Sequence, residues 1–197
     1  RDWSSDVCFS DLVRFQIRPN LQLVLGGFMI DKPYYGLDPN NVYRELGDVR
    51  HSGLELSVTG SLADEITMVA GAVFLRPRIT SISRTGATTR LIAVGPTPRV
   101  LRTNFQYRPR KVRGLALDLK VESLSSSYLN VANTRRISGS VTVDAGVRYT
   151  TALSGVPVRF RLQGLNLGNA FYITPNASGQ ITAAEARRVE FTVAADF

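Results

Sequence analysis

Gly114-Leu-Ala-Leu-Asp-Leu-Lys-Val-Glu122 reads as two interleaved sequences. Leu115, Leu117, Leu119 and Val121 hold every second position, with Ala116, Asp118, Lys120 and Glu122 between them. Successive side chains of an extended chain point to opposite faces, so this spacing predicts a strand with one apolar face and one polar or small face. Two such faces imply two different surroundings.

The same period spreads outward from this stretch. Val141, Val143, Ala145, Val147 and Tyr149 alternate with Thr142, Asp144, Gly146 and Arg148. Toward the end, Val189, Phe191, Val193, Ala195 and Phe197 alternate with Glu190, Thr192, Ala194 and Asp196. Six further segments fit: residues 13–18, 21–30, 47–59, 65–76, 101–108 and 156–168. Parity changes near Gly26-Gly27, which predicts a bulge, and again around Leu165 to Leu167. The expectation is nine strands and no amphipathic helix, residues 183–188 being the one short helix-like snippet.

The connections alternate in length. Short turns are expected near Pro19-Asn20, 61–64, 109–113 and 151–155, and long polar loops at 31–46, 77–98, 123–136 and 172–187. That asymmetry suits a barrel across an outer membrane, with short turns on one side and longer loops on the other. Phe105, Tyr107, Tyr149, Phe160 and Phe197 fall near strand ends on the short-turn side, and Phe28, Phe74, Phe171 and Tyr172 on the long-loop side. Two aromatic belts are what a membrane barrel places at its interfaces. A soluble β-sandwich is the alternative, and would hold its aromatics in mid-strand core positions.

Composition bounds the reading. Of 197 residues, 44% are hydrophobic and 20% charged, which excludes a disordered chain. The longest apolar runs, 23–30 and 68–75, are far short of the roughly 20 residues a membrane helix needs, whereas a membrane strand needs only about 9–11. Residues 1–12 resemble the translation of a sequencing-library adapter and are set aside as a fused artefact, leaving 13–197 as one barrel region. That segment holds the single Cys (Cys8) and the single Trp (Trp3). It carries one Arg and three Asp, a net −2, so the rest has +8 − (−2) = +10.

The polar faces hold Arg102, Asn104, Arg148, Arg159 and Arg161 among other charged residues, and these are expected to line a lumen, pairing across strands with Asp and Glu. The excess positive charge favours anionic partners: an acidic ligand, lipopolysaccharide phosphates, or acidic groups of an internal plug. Nucleic acid is not expected, because the basic residues are dispersed and no base-stacking motif is present. An enzyme is not expected either. His51 is the lone histidine, shares a strand face with Glu55 and has no nucleophile nearby; no metal-ligand spacing, phosphate loop or nucleophile elbow occurs. No cofactor is implied.

Three stretches resemble the C-terminal region of TonB-dependent siderophore receptors. The first is Gly27-Phe-Met-Ile-Asp-Lys-Pro33 followed by residues 42–56, where Gly47, Arg50, Gly53 and Glu55 match a G-x-x-R-x-x-G-x-E strand. The second is Pro98-Arg-Val100, and the third Gly164-Leu-Asn-Leu-Gly-Asn-Ala-Phe-Tyr172 ahead of a last strand closing on Phe197. Each motif is loose; their order and spacing make the likeness specific.

The resemblance implies an antiparallel up-and-down transmembrane barrel of about 22 strands with a plugged lumen, of which this chain supplies about nine. It implies a receptor that imports a ferric siderophore across the bacterial outer membrane, monomeric, in contact with lipid bilayer and lipopolysaccharide, and energised through TonB by an N-terminal plug. Phe197 resembles the terminal aromatic read by the barrel-assembly machinery. Tyr34, Tyr35, Arg84, Arg90 and Tyr128, on the expected long loops, are the candidate ligand contacts, since aromatic and cationic groups suit anionic chelates. A passive porin or structural barrel, and a soluble sandwich binding module, are the competing readings. The isolated fragment is expected not to function, because its open edges and apolar outer face are a liability in water.

Overall fold

The computed structural model describes residues 7–38, 40–82, 88–175 and 180–195. Nine strands form one antiparallel meander: β1 (Val7–Arg18), β2 (Leu21–Leu37), β3 (Tyr43–Ala63), β4 (Ile66–Ile82), β6 (Arg99–Tyr107), β7 (Leu115–Leu124), β10 (Ser140–Leu153), β11 (Val156–Leu165) and β14 (Arg188–Ala195). Between them, β5 (Thr88–Ile92) pairs with the far half of β4, while β8 (Ser127–Tyr128) with β9 (Arg136–Ile137), and β12 (Ile173–Pro175) with β13 (Ile181–Ala183), form two-stranded ribbons. Each main strand pairs with its chain neighbour, and β1 and β14 are the two edges. The architecture is an all-β, up-and-down barrel wall left open. Of residues 1–12, the first six lie outside the described residues and Val7 to Leu12 continue β1 opposite β2.

Register carries the two faces across the sheet. Leu25 lies between Val13 and Leu56, Leu56 beside Ala72, and Ala72 beside Leu101. Phe105 lies between Met68 and Leu119; Leu119 sits beside Ala145, Ala145 beside Gly164, and Gly164 beside Val189. Because paired residues project to the same side, one face is apolar from edge to edge. It is uncovered: Leu119 is 41% and Phe191 66% exposed. A soluble sandwich would bury these side chains against a second sheet, and among the described residues no second large sheet exists.

Turn chemistry fixes the short end. Ser154 (φ 52°) and Gly155 (φ 83°) are both left-handed, the primed two-residue turn whose twist matches its strands. Gly114 (φ 84°) has no alternative residue, because a Cβ there would lie 2.1 Å from the Thr150 carbonyl oxygen.

Four expectations need correction. The register runs unbroken through Gly26-Gly27, and shifts instead between Gln16 and Arg18, Tyr34 and Tyr35, and Ser61 and Ala63. The sequence parity changes there because Phe28 sits on the polar face, where its ring packs over Gly53; a Cβ on Gly53 would meet Phe28 Cζ at 2.8 Å and the Phe74 carbonyl oxygen at 2.4 Å. Phe28 therefore leaves the long-loop aromatic belt, while Phe74, Phe105, Tyr107, Tyr149 and Phe160 keep to the apolar face. Leu165 to Leu167 is no slip within a strand: β11 ends at Leu165 and Asn166 turns left-handed at φ 47°.

The long loops are the fourth correction. β2 and β3 run on to a hairpin at 38–42, β4 continues to Ile82 with β5 against it, and the other two loops fold into the short ribbons. Their backbones still need partners, but both faces meet water or other loops there, so alternation vanishes from the sequence while pairing persists. Val49, Ile79 and Ala93, with Tyr34 against them, form a small core at this end. Residues 183–188 are not helical; Ile181–Ala183 pair in β13 and β14 begins at Arg188.

Candidate functional site

The polar face is a ladder of levels. Arg102 lies beside Glu122, Asn104 beside Lys120, and Lys120 beside Asp144. Gln106 lies beside Asp118 one level nearer the short turns, then Ala116 beside Arg148 and Arg148 beside Arg161, and last Thr150 beside Arg159. Arg102, Asn104, Arg148, Arg159 and Arg161 thus share one face.

The upper levels bond their own polar groups. Arg102 Nε meets Glu122 Oε2 at 2.6 Å, Lys120 Nζ meets Asp144 Oδ2 at 3.4 Å, and Gln106 Nε2 donates to Asp118 Oδ1 at 2.7 Å. The lower levels do not. Among the described residues, Arg148, Arg159 and Arg161 have no ion-pair partner, and Arg148 faces Arg161 directly. Like charges so placed repel, and the arrangement leaves a fixed cationic surface toward whatever fills this side.

The long loops roof the upper levels by way of single side chains. Asn166 is 7% exposed. Its amide group donates to the carbonyls of Ala170 and Glu185, both at 2.9 Å, and accepts from Ala170 N at 2.9 Å. Its own N–H donates to Asp144 Oδ1 at 2.8 Å, so Asp144 joins the charge ladder to the roof. Tyr172 and Thr182 line the hollow beneath, together with Arg102, Glu122 and Arg188. Asn133 accepts from Ile92 N at 2.7 Å and donates to Ile92 O at 2.9 Å, completing the β5 edge from another loop.

The candidate ligand contacts scatter. Tyr34 lies in β2 and packs on Val49, Ile79 and Ala93. Tyr35, also in β2, stacks on Tyr43 with ring centroids 6.0 Å apart. Arg90 is exposed in β5, and Tyr128 is half-buried in β8. None of the four lies in an open loop, because the strands extend past the apolar band. Arg84 and Phe197 lie outside the described residues, as do Pro39 and residues 176–179. His51 makes no acid–base couple with Glu55; its Nε2 is buried without a hydrogen-bond partner among the described residues.

Sequence reasoning passed over Asp38 and Asn133, and quoted Asn166 only within a stretch that resembles the receptors. Asp38 is 7% exposed and caps the 38–42 hairpin: its Oδ1 accepts from Asn40 N at 2.7 Å and Val42 N at 3.0 Å, and its Oδ2 meets Arg44 Nε at 2.9 Å. The Val42 amide above all, with Asn40 and Arg44, holds this carboxyl below its ordinary value of 3.8, against the opposing effect of burial. The legible signal was the clustering of Asn and Asp where a chain must reverse, since these residues tolerate left-handed backbone and bond it with their own side chains. Asn133 (φ 56°) and Asn166 do both.

No family model matches the chain. It is 30% identical over 173 residues to the ferrichrome receptor FcuA of Yersinia enterocolitica, a match covering 86% of this chain and 23% of that relative. The ferric preacinetobactin receptor BauA of Acinetobacter baumannii superposes with a TM-score of 0.84 over 96% of this chain and 29% of its own, at 24% identity. The siderophore receptor PiuA of the same species gives 0.74 over 95% and 27%, at 23% identity. The chain thus spans about a quarter of the length of the proteins it is similar to. The likeness to siderophore receptors thus holds in sequence with one relative and in backbone with the others.

Proposed function

We propose that this chain is the C-terminal part of the barrel of a TonB-dependent outer-membrane receptor, whose intact parent binds a ferric siderophore on the long-loop side and imports it. One observation carries the reading: an apolar outer face backed by a charged inner face. On β4 the outward positions run apolar from Ile66 through Met68, Ala70 and Ala72 to Phe74, about 27 Å along the strand at about 3.4 Å per residue. At the 35–45° tilt of barrel strands that length spans about 20 Å of height, close to the apolar band about 25 Å tall of a membrane barrel.

The inner face supports a filled lumen over an open pore. The upper levels satisfy themselves, whereas Arg148, Arg159 and Arg161 offer cationic groups that an acidic plug surface would neutralise. The loop that Asn166 ties to Asp144 lies over the polar face at its long-loop end, the outer mouth of the proposed barrel. Tyr172 and Tyr128 are the aromatic groups at that mouth proposed to meet a chelate, and the names of the relatives make ferric chelates the first to try.

The test is uptake of radioactive iron by cells expressing the intact parent, supplied as ferrichrome or as a ferric catecholate. Saturable uptake of one of the two, lost on deleting TonB, is expected. Uptake that grows linearly with concentration and ignores TonB contradicts the proposal and leaves a porin.

A further inference from the structure

The chain carries a net +8, yet the hollow between the charge ladder and the β12–β13 ribbon shares none of that excess. Three cations line it, Arg102, Lys120 and Arg188, against three acids, Glu122, Asp144 and Glu185. Each cation is already held by an acid. Arg102 Nε meets Glu122 Oε2 at 2.6 Å, and Lys120 Nζ meets Asp144 Oδ2 at 3.4 Å. Arg188 pairs with Glu185, and its Nε also meets Glu190 Oε1 at 2.6 Å, so a further acid stands at the margin.

In the two ladder pairs the acid is the inner member. The Glu122 and Asp144 side chains are 15% and 20% exposed, against 61% and 46% for Arg102 and Lys120. An anion entering here must draw a cation away and leave a largely buried carboxylate unpaired, which offsets the new contact. The unpaired arginines of the polar face stand too far off to compensate. Arg148 lies four residues beyond Asp144, about 14 Å along β10, against a screening length of about 8 Å.

Hydroxyls supply much of the remaining lining. Thr97, Thr142, Thr174, Thr182 and Tyr172 border the hollow, and among the described residues none of these hydroxyls has a hydrogen-bond partner. All but Thr182 are half-buried. Such groups donate and accept without charge, which suits amide and hydroxamate oxygens and N–H groups. Iron(III) bound by three singly negative hydroxamates makes an uncharged chelate, whereas three doubly negative catecholates leave a trianion.

We propose that this hollow is a binding site for an uncharged ferric hydroxamate, and that Glu122, Asp144 and Glu185 are the residues that turn away polyanionic catecholates. Thr142, Thr174, Thr182 and Tyr172 bond the chelate, while Arg102 and Lys120 stay with their own acids. This rests on the reading of the chain as the wall of a siderophore receptor, and it names the class of chelate that wall selects.

The test measures uptake of radioactive iron by cells making the intact receptor, supplied with ferrichrome as the uncharged hydroxamate and ferric enterobactin as the trianionic catecholate. Ferrichrome is expected to have the lower KM by at least about tenfold. Glu122→Gln/Glu185→Gln removes two of the repelling charges and should bring the two KM values within about threefold by lowering that of the catecholate. Asp64→Asn, which removes an exposed acid at the short-turn end, keeps the original ratio. A faster-migrating band on unheated gels reports the folded barrel in each sample. A catecholate KM equal to or below that of ferrichrome, or a ratio that the folded double variant leaves unchanged, overturns the charge filter and leaves the receptor reading standing. Absence of saturable, TonB-dependent uptake of both chelates by the unsubstituted receptor overturns that reading as well. If the double variant does not fold, Glu185→Gln alone supplies the same comparison from a side chain that is 74% exposed.

Discussion

The strand band and the crown of loops above it are built from the same chain but held by different means. In the band, every residue of β7 pairs in register with β10, and a substitution at one position meets the same kind of neighbour as its counterparts two residues away. In the crown, order depends on single side chains that stand in for backbone: Asp38 across its hairpin, Asn133 on Ile92, Asn166 on Ala170 and Glu185. The band is repetitive, with stability spread over many equivalent contacts. The crown is irregular, with its stability concentrated in few, so damage to it should stay local.

The largest effect should come from breaking the band on its lipid side. Leu119→Arg places a charge at mid-height of the apolar face and should cost about 2–4 kcal/mol in urea unfolding from lipid vesicles, while Thr142→Arg on the other face costs far less. A crown lesion comes next. Asn166→Ala removes the buried donor and acceptor behind three hydrogen bonds and leaves the Ala170 and Glu185 carbonyls without that partner, worth roughly 1–3 kcal/mol. Hydrogen exchange should then rise across the 166–187 loop and not in β10 or β11; acceleration across the whole sheet would erase the distinction between the two regions.

Within the band, the two halves of the charge ladder should respond with opposite sign. Glu122→Gln strands Arg102 and should destabilise by up to about 1 kcal/mol, whereas Arg161→Gln relieves a facing like charge and should be neutral or slightly stabilising without a plug. The smallest effect is the pH response of the 38–42 hairpin. The Asp38 carboxyl is held below its ordinary value in the folded chain, so its contribution is complete above that value and is lost as pH falls through the lower, folded one. Amide chemical shifts of Asn40 and Val42 should move only in acid below about pH 4, and Asp38→Asn should abolish the change.

These differences explain what could be read from residues alone. Period two placed all nine strands of the meander and both faces, because a band with one apolar and one polar side imposes one rule at every position. That Arg102, Asn104, Arg148, Arg159 and Arg161 share one face followed from the same rule. The crown imposes none. Tyr34 and Arg90 look like loop residues in sequence, yet one packs in a small core and the other ends on the outer face, since strand extension there leaves no alternation to detect. Phe28 misled for a different reason: its place depends on Gly53, a neighbour 25 residues away that only the register reveals.

The central claim is that alternate residues of one strand meet lipid and water. Single cysteines introduced in turn at positions 115 to 122 of an intact receptor otherwise free of thiols carry a nitroxide label in reconstituted vesicles. Collision with oxygen, which concentrates in lipid, should peak at 115, 117, 119 and 121. Collision with a water-soluble nickel chelate should peak at 116, 118, 120 and 122. Accessibility that varies smoothly along the strand, or the opposite assignment of the two sets, would contradict the account.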